Sequence, residues 1–148
     1  MFPLQIDADY QLRANAPFPR QADAVKLAIK SFASHASKDT VLLFKQHPLN
    51  NVLMYWKSRI QRLARRYKVP DRVHFVRAGN LYEQLTHTLG TVLINSTVGM
   101  HVLKHGCPVK TPGVAVYDIP GLTFQGPLDD FWTKAENPTR SCAMSSLR

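Results

Sequence analysis

Hydrophobic positions along the chain alternate between short continuous runs and longer stretches in which they recur every three or four residues. The continuous runs predict buried strands at residues 2–6, 41–45, 73–76, 91–94, 109–110 and 114–117. The spaced stretches predict helices at residues 21–36, 51–69, 100–105 and 129–134, with a further helix that begins at Asn80. Because strands and helices alternate, the predicted fold class is α/β, with a parallel sheet flanked by helices.

Length and composition are typical of a single globular domain: the chain has 148 residues, 45% of them hydrophobic and 20% charged. We assign residues 1–136 to this domain and residues 137–148, which show no periodicity, to a loose tail. No apolar run approaches the roughly 18–20 residues of a membrane span, and the chain start does not resemble a signal peptide. We therefore predict a cytoplasmic protein whose Cys107 and Cys142 are inert thiols.

The net charge of +9 favours an anionic partner, such as a nucleotide, a phosphorylated lipid, an acidic glycan or nucleic acid. Residues 51–69 contain no acidic residue but carry Lys57, Arg59, Arg62, Arg65, Arg66 and Lys68. The same stretch predicts an amphipathic helix, because hydrophobic residues line its other face: Leu53, Trp56, Ile60, Leu63 and Tyr67. The basic face is either an ordinary solvated surface or an anion-contacting one, with Arg59, Arg62 and Arg66 as the candidate contacts.

Two polar loops follow predicted strands at the edge where parallel sheets bind their ligands. Residues 45–48 include Lys45 and His47, and residues 95–99 include Ser96 and Thr97 at the start of a helix. Such a turn offers free backbone N–H groups and a positive dipole end, and the two hydroxyls add donors, so a phosphate fits there. The alternatives are that His47 is an ordinary loop histidine and that the hydroxyls only cap the helix.

Two further patterns would permit metal binding but lack a complete set of ligands. Asp7 and Asp9 resemble a two-carboxylate metal motif, without a third ligand in view. His101 and His105 lie one helical turn apart, a spacing that can hold zinc, again without a third ligand. We therefore predict no metal and no other cofactor.

Several motifs follow one another in a specific order, at residues 3–11, 45–48, 95–99, 106–109 and 115–123. In this order and spacing, the set resembles the bacterial capsule polysaccharide biosynthesis and export proteins. The resemblance extends from Phe2 to about Trp132.

That resemblance implies a two-domain glycosyltransferase of two facing Rossmann-like halves, of which the matched motifs form the C-terminal, nucleotide-binding half. Members are linked to transfer of Kdo from CMP-Kdo to a lipid-linked primer for capsule export. His47 falls on the family's His-Pro histidine, and Ser96 and Thr97 fall on its hydroxyl pair, all expected at the donor phosphate. Lys45 and Glu83 are further expected donor contacts. The implied partners are the sugar donor, a lipid-linked glycan acceptor, the inner-membrane surface and the capsule export machinery, and not nucleic acid.

The resemblance covers only the second half of the family's pattern, and the catalytic carboxylate is expected in the first half. Residues 111–114 also lack the basic or polar residue expected after the glycine. We therefore expect donor binding without transfer chemistry and assign no catalytic residue; Asp118 is the best local candidate, in surroundings that predict packing. Two alternatives stay open: a non-enzymatic export or membrane-adaptor module that uses the basic helix, and a nucleic-acid binder favoured by charge alone.

Overall fold

The computed structural model of the chain describes residues 1–5, 21–47, 53–94, 98–112 and 118–135. The strands are β1 (Phe2–Pro3), β2 (Leu42–Lys45), β3 (Val73–Val76), β4 (Thr91–Val92) and β5 (Val109–Lys110). The helices are α1 (Gln21–His35), α2 (Leu53–Arg66), α3 (Leu81–Thr86), α4 (Val98–Lys104) and α5 (Leu128–Lys134). This alternation confirms the predicted α/β class, while the strand predicted at 114–117 and the tail at 137–148 lie outside the described residues.

The strands run parallel and form two ladders that meet at the first residue. Phe2 of β1 pairs with Phe44 of β2, Leu42 of β2 pairs with Val73 of β3, and β4 pairs with β5. The Met1 α-amino group donates to the Gly90 carbonyl at 2.7 Å, and the Met1 carbonyl accepts from the Val92 N–H at 2.9 Å. The spatial order is therefore β3-β2-β1-β4-β5, which is the Rossmann-like order. In this order β2, β1 and β4 are inner strands.

Pro3 explains why the contact between β1 and β4 is brief. In a parallel ladder, every second residue of a strand bonds to the same neighbouring strand. Such a residue donates its N–H to one residue of that strand and accepts at its C=O from the residue two positions further along it. Since Met1 bonds to Gly90 and Val92, the N–H of residue 3 would donate to the Val92 carbonyl, but proline has no N–H. Leu4 continues β1 on the other side, donating to the Lys45 carbonyl at 2.8 Å.

Helices cover both faces of the sheet. One buried cluster joins α1, α2 and α5 to one face and contains Ile29, Phe32, Phe44, Ile60 and Phe131. A second cluster joins α3 and α4 to the other face and contains Leu85, Leu93, Val102, Leu103 and Val109. Ile94 belongs to the first cluster and its neighbour Leu93 to the second, so successive side chains enter opposite cores. Burial on both faces is the physical reason for the continuous apolar runs in the sequence.

A polar contact fixes α5 against α1 at the margin of the first core. The buried Ser31 hydroxyl donates to an Asp129 carboxylate oxygen at 2.5 Å and accepts from the Trp132 indole N–H at 2.8 Å. His35 Nδ1 lies 3.5 Å from the same Asp129 oxygen. These residues include the types of a catalytic triad, but the serine hydroxyl donates to the carboxylate and not to the histidine, whose Nδ1 lies 3.1 Å from the Ser31 carbonyl. The cluster therefore holds two helices together.

Candidate functional site

The carboxyl ends of the parallel strands bring five loops to one edge of the sheet. We refer to this side as the carboxyl edge; its residues are Gln5 after β1, His47 after β2, the loop 77–80 after β3, Ile94 after β4 and Thr111 after β5. Strand order reverses between β1 and β4, and doubly wound sheets bind ligands in the crevice at such a reversal. The sequence-predicted loops at residues 45–48 and 95–99 belong to this edge through their described members.

At the end of β1, two glutamine residues tie the strand to the start of α1. The Gln5 backbone N–H donates to Gln21 Oε1 at 2.6 Å, and Gln21 Nε2 donates to the Gln5 carbonyl at 3.0 Å. Both residues are buried. The side-chain amide therefore replaces a neighbouring strand in satisfying the backbone of Gln5, and it holds the first turn of α1 beside the strand reversal.

At the end of β2, the Lys45 ammonium is bound by the loop that follows β3. Its Nζ donates to the carbonyls of Arg77, Ala78 and Gly79 at 3.2, 2.8 and 3.0 Å. Lys45 is only 8% exposed, and this burial lowers the pKa of its ammonium. An ammonium has three donors, and all three are used here. The direct donor contact predicted for Lys45 stays a prediction, since it would require one of these bonds to be exchanged.

The same loop leads into α3, where Glu83 lies. The Asn80 side chain accepts from the Tyr82 N–H at 2.8 Å and caps the helix, which confirms that Asn80 begins it. Gly79 adopts a φ of 100°, a conformation that favours glycine, and Gln84 Nε2 donates to the Ala78 carbonyl at 3.1 Å. Glu83 is exposed in the first turn, so its carboxylate lies near the carboxyl edge without a described contact to His47.

His47 lies two residues beyond β2 and is half-buried. The preceding residue extends the ladder, because the Gln46 N–H donates to the Val76 carbonyl at 2.9 Å. His47 thus leaves the sheet at the same edge as Ile94, which ends the β4 segment. Ser96 and Thr97 lie outside the described residues, so their predicted meeting with His47 stays a prediction.

The basic helix α2 runs from the carboxyl edge back to the opposite edge, because it connects two parallel strands. Its predicted core stripe is confirmed for Trp56 and Ile60, which are buried. Arg62 and Arg66 are exposed and Arg59 is half-buried. Arg66, the last residue of the helix, therefore lies at the opposite edge of the sheet from His47. An anionic contact at the three arginines stays a prediction.

The remaining chemical candidates have structural partners. The Asp118 carboxylate accepts from the Thr123 hydroxyl at 2.6 Å and from Gln125 Nε2 at 3.3 Å, so it closes a turn, as its predicted packing role implies. The Tyr82 ring packs against His101 and His105, with ring centroids 5.7 and 5.4 Å away. Among the described residues, no three histidine, cysteine or acidic residues come together as a metal site. Asp7 and Asp9 fall outside those residues, and so does Cys142, while Cys107 is buried.

Sequence reasoning missed two features of the carboxyl edge. Gln5 and Gln21 are 16 residues apart in the sequence, and no local sequence pattern predicts that they bond to each other. Thr111, directly after β5, is 4% exposed, and its hydroxyl has no hydrogen-bond partner within the described part of the chain. Its position after a strand end was the available signal.

Within the described residues, no helix is both long and apolar enough to cross a membrane. The family model for capsule polysaccharide biosynthesis proteins matches residues 1–148. The chain is 37% identical over 139 residues to the capsule polysaccharide modification protein LipB of Neisseria meningitidis serogroup A, covering 93% of this chain and 33% of the relative. It is 36% identical over 129 residues to the capsule polysaccharide export protein KpsS of Escherichia coli, covering 87% and 33%.

The chain thus spans about a third of the length of these relatives. Among solved structures it resembles Thermosulfurimonas dismutans KpsC, a beta Kdo 2,7 transferase, with a TM-score of 0.62 at 16% identity. That similarity covers 88% of this chain and 42% of KpsC, and it supports the same α/β fold.

Proposed function

The chain belongs to the capsule polysaccharide biosynthesis family, and from that premise we propose that it is the donor-nucleotide-binding half of a capsule glycosyltransferase. The donor would be CMP-Kdo and the acceptor a lipid-linked glycan. The observation that carries the proposal is the convergence of the family's His-Pro loop and the end of β4 at the carboxyl edge, beside the strand reversal. KpsC, which has a similar fold, is a beta Kdo 2,7 transferase, and this supports Kdo as the sugar.

The proposed chemistry is electrostatic. His47 would donate a hydrogen bond to the donor phosphate, and Ser96 and Thr97 would donate their hydroxyl protons to it. Such bonds strengthen as negative charge develops on the departing CMP, so they would stabilise the transition state more than the bound donor. Glu83 would accept from the donor's nucleoside, and Lys45 would act mainly by holding the loop 77–79 in place. Acceptor contacts and the catalytic carboxylate would come from the other half of the protein.

Titration of CMP into the purified chain by calorimetry tests this proposal. A charge-assisted hydrogen bond contributes about 1.5–3 kcal/mol, so His47→Ala should weaken CMP binding roughly 10- to 100-fold. The double change Ser96→Ala with Thr97→Val should do the same. His105→Ala is the matched control, because His105 is an exposed histidine at the far end of α4. Equal CMP affinities for the wild type and the His47 and Ser96/Thr97 variants would refute the donor site.

An export or membrane-adaptor module remains the second candidate function, and the exposed arginines of α2 favour it. No ion pair of the described residues links Arg62 or Arg66 to a carboxylate. If these residues and Arg59 contact anionic lipid, each should contribute about 1 kcal/mol to vesicle binding, and the binding should weaken steeply as salt is added. Replacing all three by glutamine should then abolish vesicle binding and leave CMP affinity unchanged. Cytoplasmic location at the inner membrane is part of this proposal.

A further inference from the structure

The basic residues of α2 lie on two different stripes of the helix. Arg59, Arg62 and Arg66 are spaced by three and four residues and share one side. Lys57 and Arg65 are eight residues apart, with Gln61 halfway between them, so they share the other side. Only this second stripe faces β3. A groove of about 260 Å³ separates the two elements, and Lys57, Gln61 and Arg65 line it on the helix side.

The other wall of the groove is β3, the edge strand of the sheet within the described residues. The Leu42 N–H donates to the Arg72 carbonyl at 2.8 Å, and the Gln46 N–H donates to the Val76 carbonyl at 2.9 Å. By the alternation of a parallel ladder, the backbone groups of Val73 and Phe75 therefore point away from β2. No other strand of the described residues pairs with them. The groove thus contains an open ladder.

Side chains give this groove an apolar floor and a basic rim. Ile60, Ala64 and Val73 are buried and contribute the floor. The rim carries the exposed Lys57 and Arg65 from the helix. Among the described residues that line the groove, none is acidic.

We propose that this groove between α2 and β3 binds an extended acidic peptide segment of a partner protein, which adds to β3 as a further strand. Main-chain bonds to Val73 and Phe75 would provide the pairing, and acidic side chains would meet Lys57 and Arg65. Charge complementarity selects an acidic partner. A lipid headgroup would explain only the basic rim, because it would neither pair with the backbone groups of Val73 and Phe75 nor cover the apolar floor. The inference is independent of CMP binding at the carboxyl edge.

A fluorescein-labelled peptide of alternating valine and glutamate is the probe, and fluorescence polarisation at low salt is the measurement. Wild type should bind this peptide and should not bind the version in which lysine replaces glutamate. The double change Lys57→Glu with Arg65→Glu should weaken binding at least about tenfold. Arg59→Glu with Arg66→Glu is the matched control, since it changes the same charge on the other stripe of the same helix at positions that are not three or four residues from Lys57 or Arg65, and binding should stay within about threefold of wild type.

Two further measurements separate strand addition from simple charge attraction. N-methylation of alternate peptide residues removes the N–H groups that a ladder needs, so it should abolish binding. In the wild-type protein, the amide protons of Val73 and Phe75 should exchange more slowly when the peptide is present. This second readout holds even if a charge-reversed variant fails to fold.

Several results would overturn the proposal. They are absence of peptide binding, equal losses for the two charge-reversed pairs, full binding of the N-methylated peptide, and unchanged exchange at both amides. Binding of phosphatidylglycerol vesicles through Lys57 and Arg65 without peptide binding would assign the groove to lipid and would also overturn it.

Discussion

Replacing Lys45 by methionine removes a buried ammonium while keeping a side chain of similar length. The ammonium donates to three carbonyls of the loop 77–79, at 2.8 to 3.2 Å. Hydrogen bonds to charged groups are worth about 1.5–3 kcal/mol each, but the three do not add here. Residues 77–79 are exposed, so water can replace the lost donors, and the Ala78 carbonyl keeps its bond from Gln84. Removing the ammonium also ends the cost of burying it.

We therefore expect Lys45→Met to lower the free energy of unfolding by about 2 kcal/mol, close to the value of one such bond. Urea denaturation followed by tryptophan fluorescence measures this change. Lys57→Met is the control, because Lys57 is exposed and its replacement should stay within about 0.5 kcal/mol. CMP affinity should fall only to the extent that loss of the ammonium displaces the loop 77–79. An unchanged or higher stability together with a large loss of CMP binding would refute the supporting role and make Lys45 a direct ligand.

Gly79→Ala perturbs the same loop without touching the ammonium. An added Cβ would lie 2.6 Å from Gln84 Nε2, and the φ of 100° is unfavourable for alanine. Strain of this kind costs on the order of 1–3 kcal/mol. If the loop shapes the donor site, Gly79→Ala should weaken CMP binding to a degree similar to Lys45→Met. An effect confined to Lys45→Met would show that the charge matters beyond its hold on the loop.

Burial lowers the pKa of the Met1 α-amino group to about 6, so the 148-residue chain should lose about 2 kcal/mol of stability as pH falls from 8 to 6, because the unfolded chain binds the proton first. Urea denaturation at both pH values should show this loss shrinking when the amine is acetylated, and an identical loss would contradict the assignment. Ser31→Ala should cost about 1–2 kcal/mol, because it removes the bonds to Asp129 and Trp132, whereas Ser58→Ala on an exposed position should cost almost nothing in the same assay. The isolated chain should form no product above hydrolysis background from CMP-Kdo and a lipid-linked acceptor, since the proximity of donor and acceptor in a two-domain cleft supplies much of the rate. Robust transfer by the isolated chain would contradict this prediction and direct the search for a catalytic base to Asp7, Asp9 and Asp118.

Much of the fold could be predicted because its strands coincide with short apolar runs in the sequence. The run at residues 73–76 coincides with β3, and the run at 41–45 differs from β2 only by Val41, which is 50% exposed. The predicted strand at residues 2–6 is longer than β1. Its hydrophobicity is real, since Phe2 and Leu4 are buried, but Pro3 interrupts the ladder to β4. The hydrophobic pattern of the sequence indicates which residues are buried, whereas the length of a strand also depends on which residues have a backbone N–H to donate.

The site was less predictable because its contacts join residues that are distant in sequence. Lys45 reads as a phosphate ligand when only its neighbours are considered, yet its ammonium bonds to carbonyls more than 30 residues away. Gln5 and Gln21 likewise bond to each other through a geometry that neither residue's surroundings indicate. Asp118 was predictable as a packing residue, because the Thr123 that it accepts from lies within the same turn.

The path of α2 explains how one helix can serve two surfaces. The helix begins at the carboxyl edge, after the loop that contains His47, and ends at Arg66 on the opposite edge. Buried Trp56, Ile60 and Ala64 face the sheet, which leaves two flanks exposed, one toward β3 and one away from it. The flank that carries Lys57 and Arg65 and the flank that carries Arg59 and Arg66 face different directions, so the two flanks can contact different anionic groups. The excess of basic residues in this stretch is therefore better understood as two separate surfaces than as one patch, and the paired charge reversals on the two stripes are the measurement that distinguishes these descriptions.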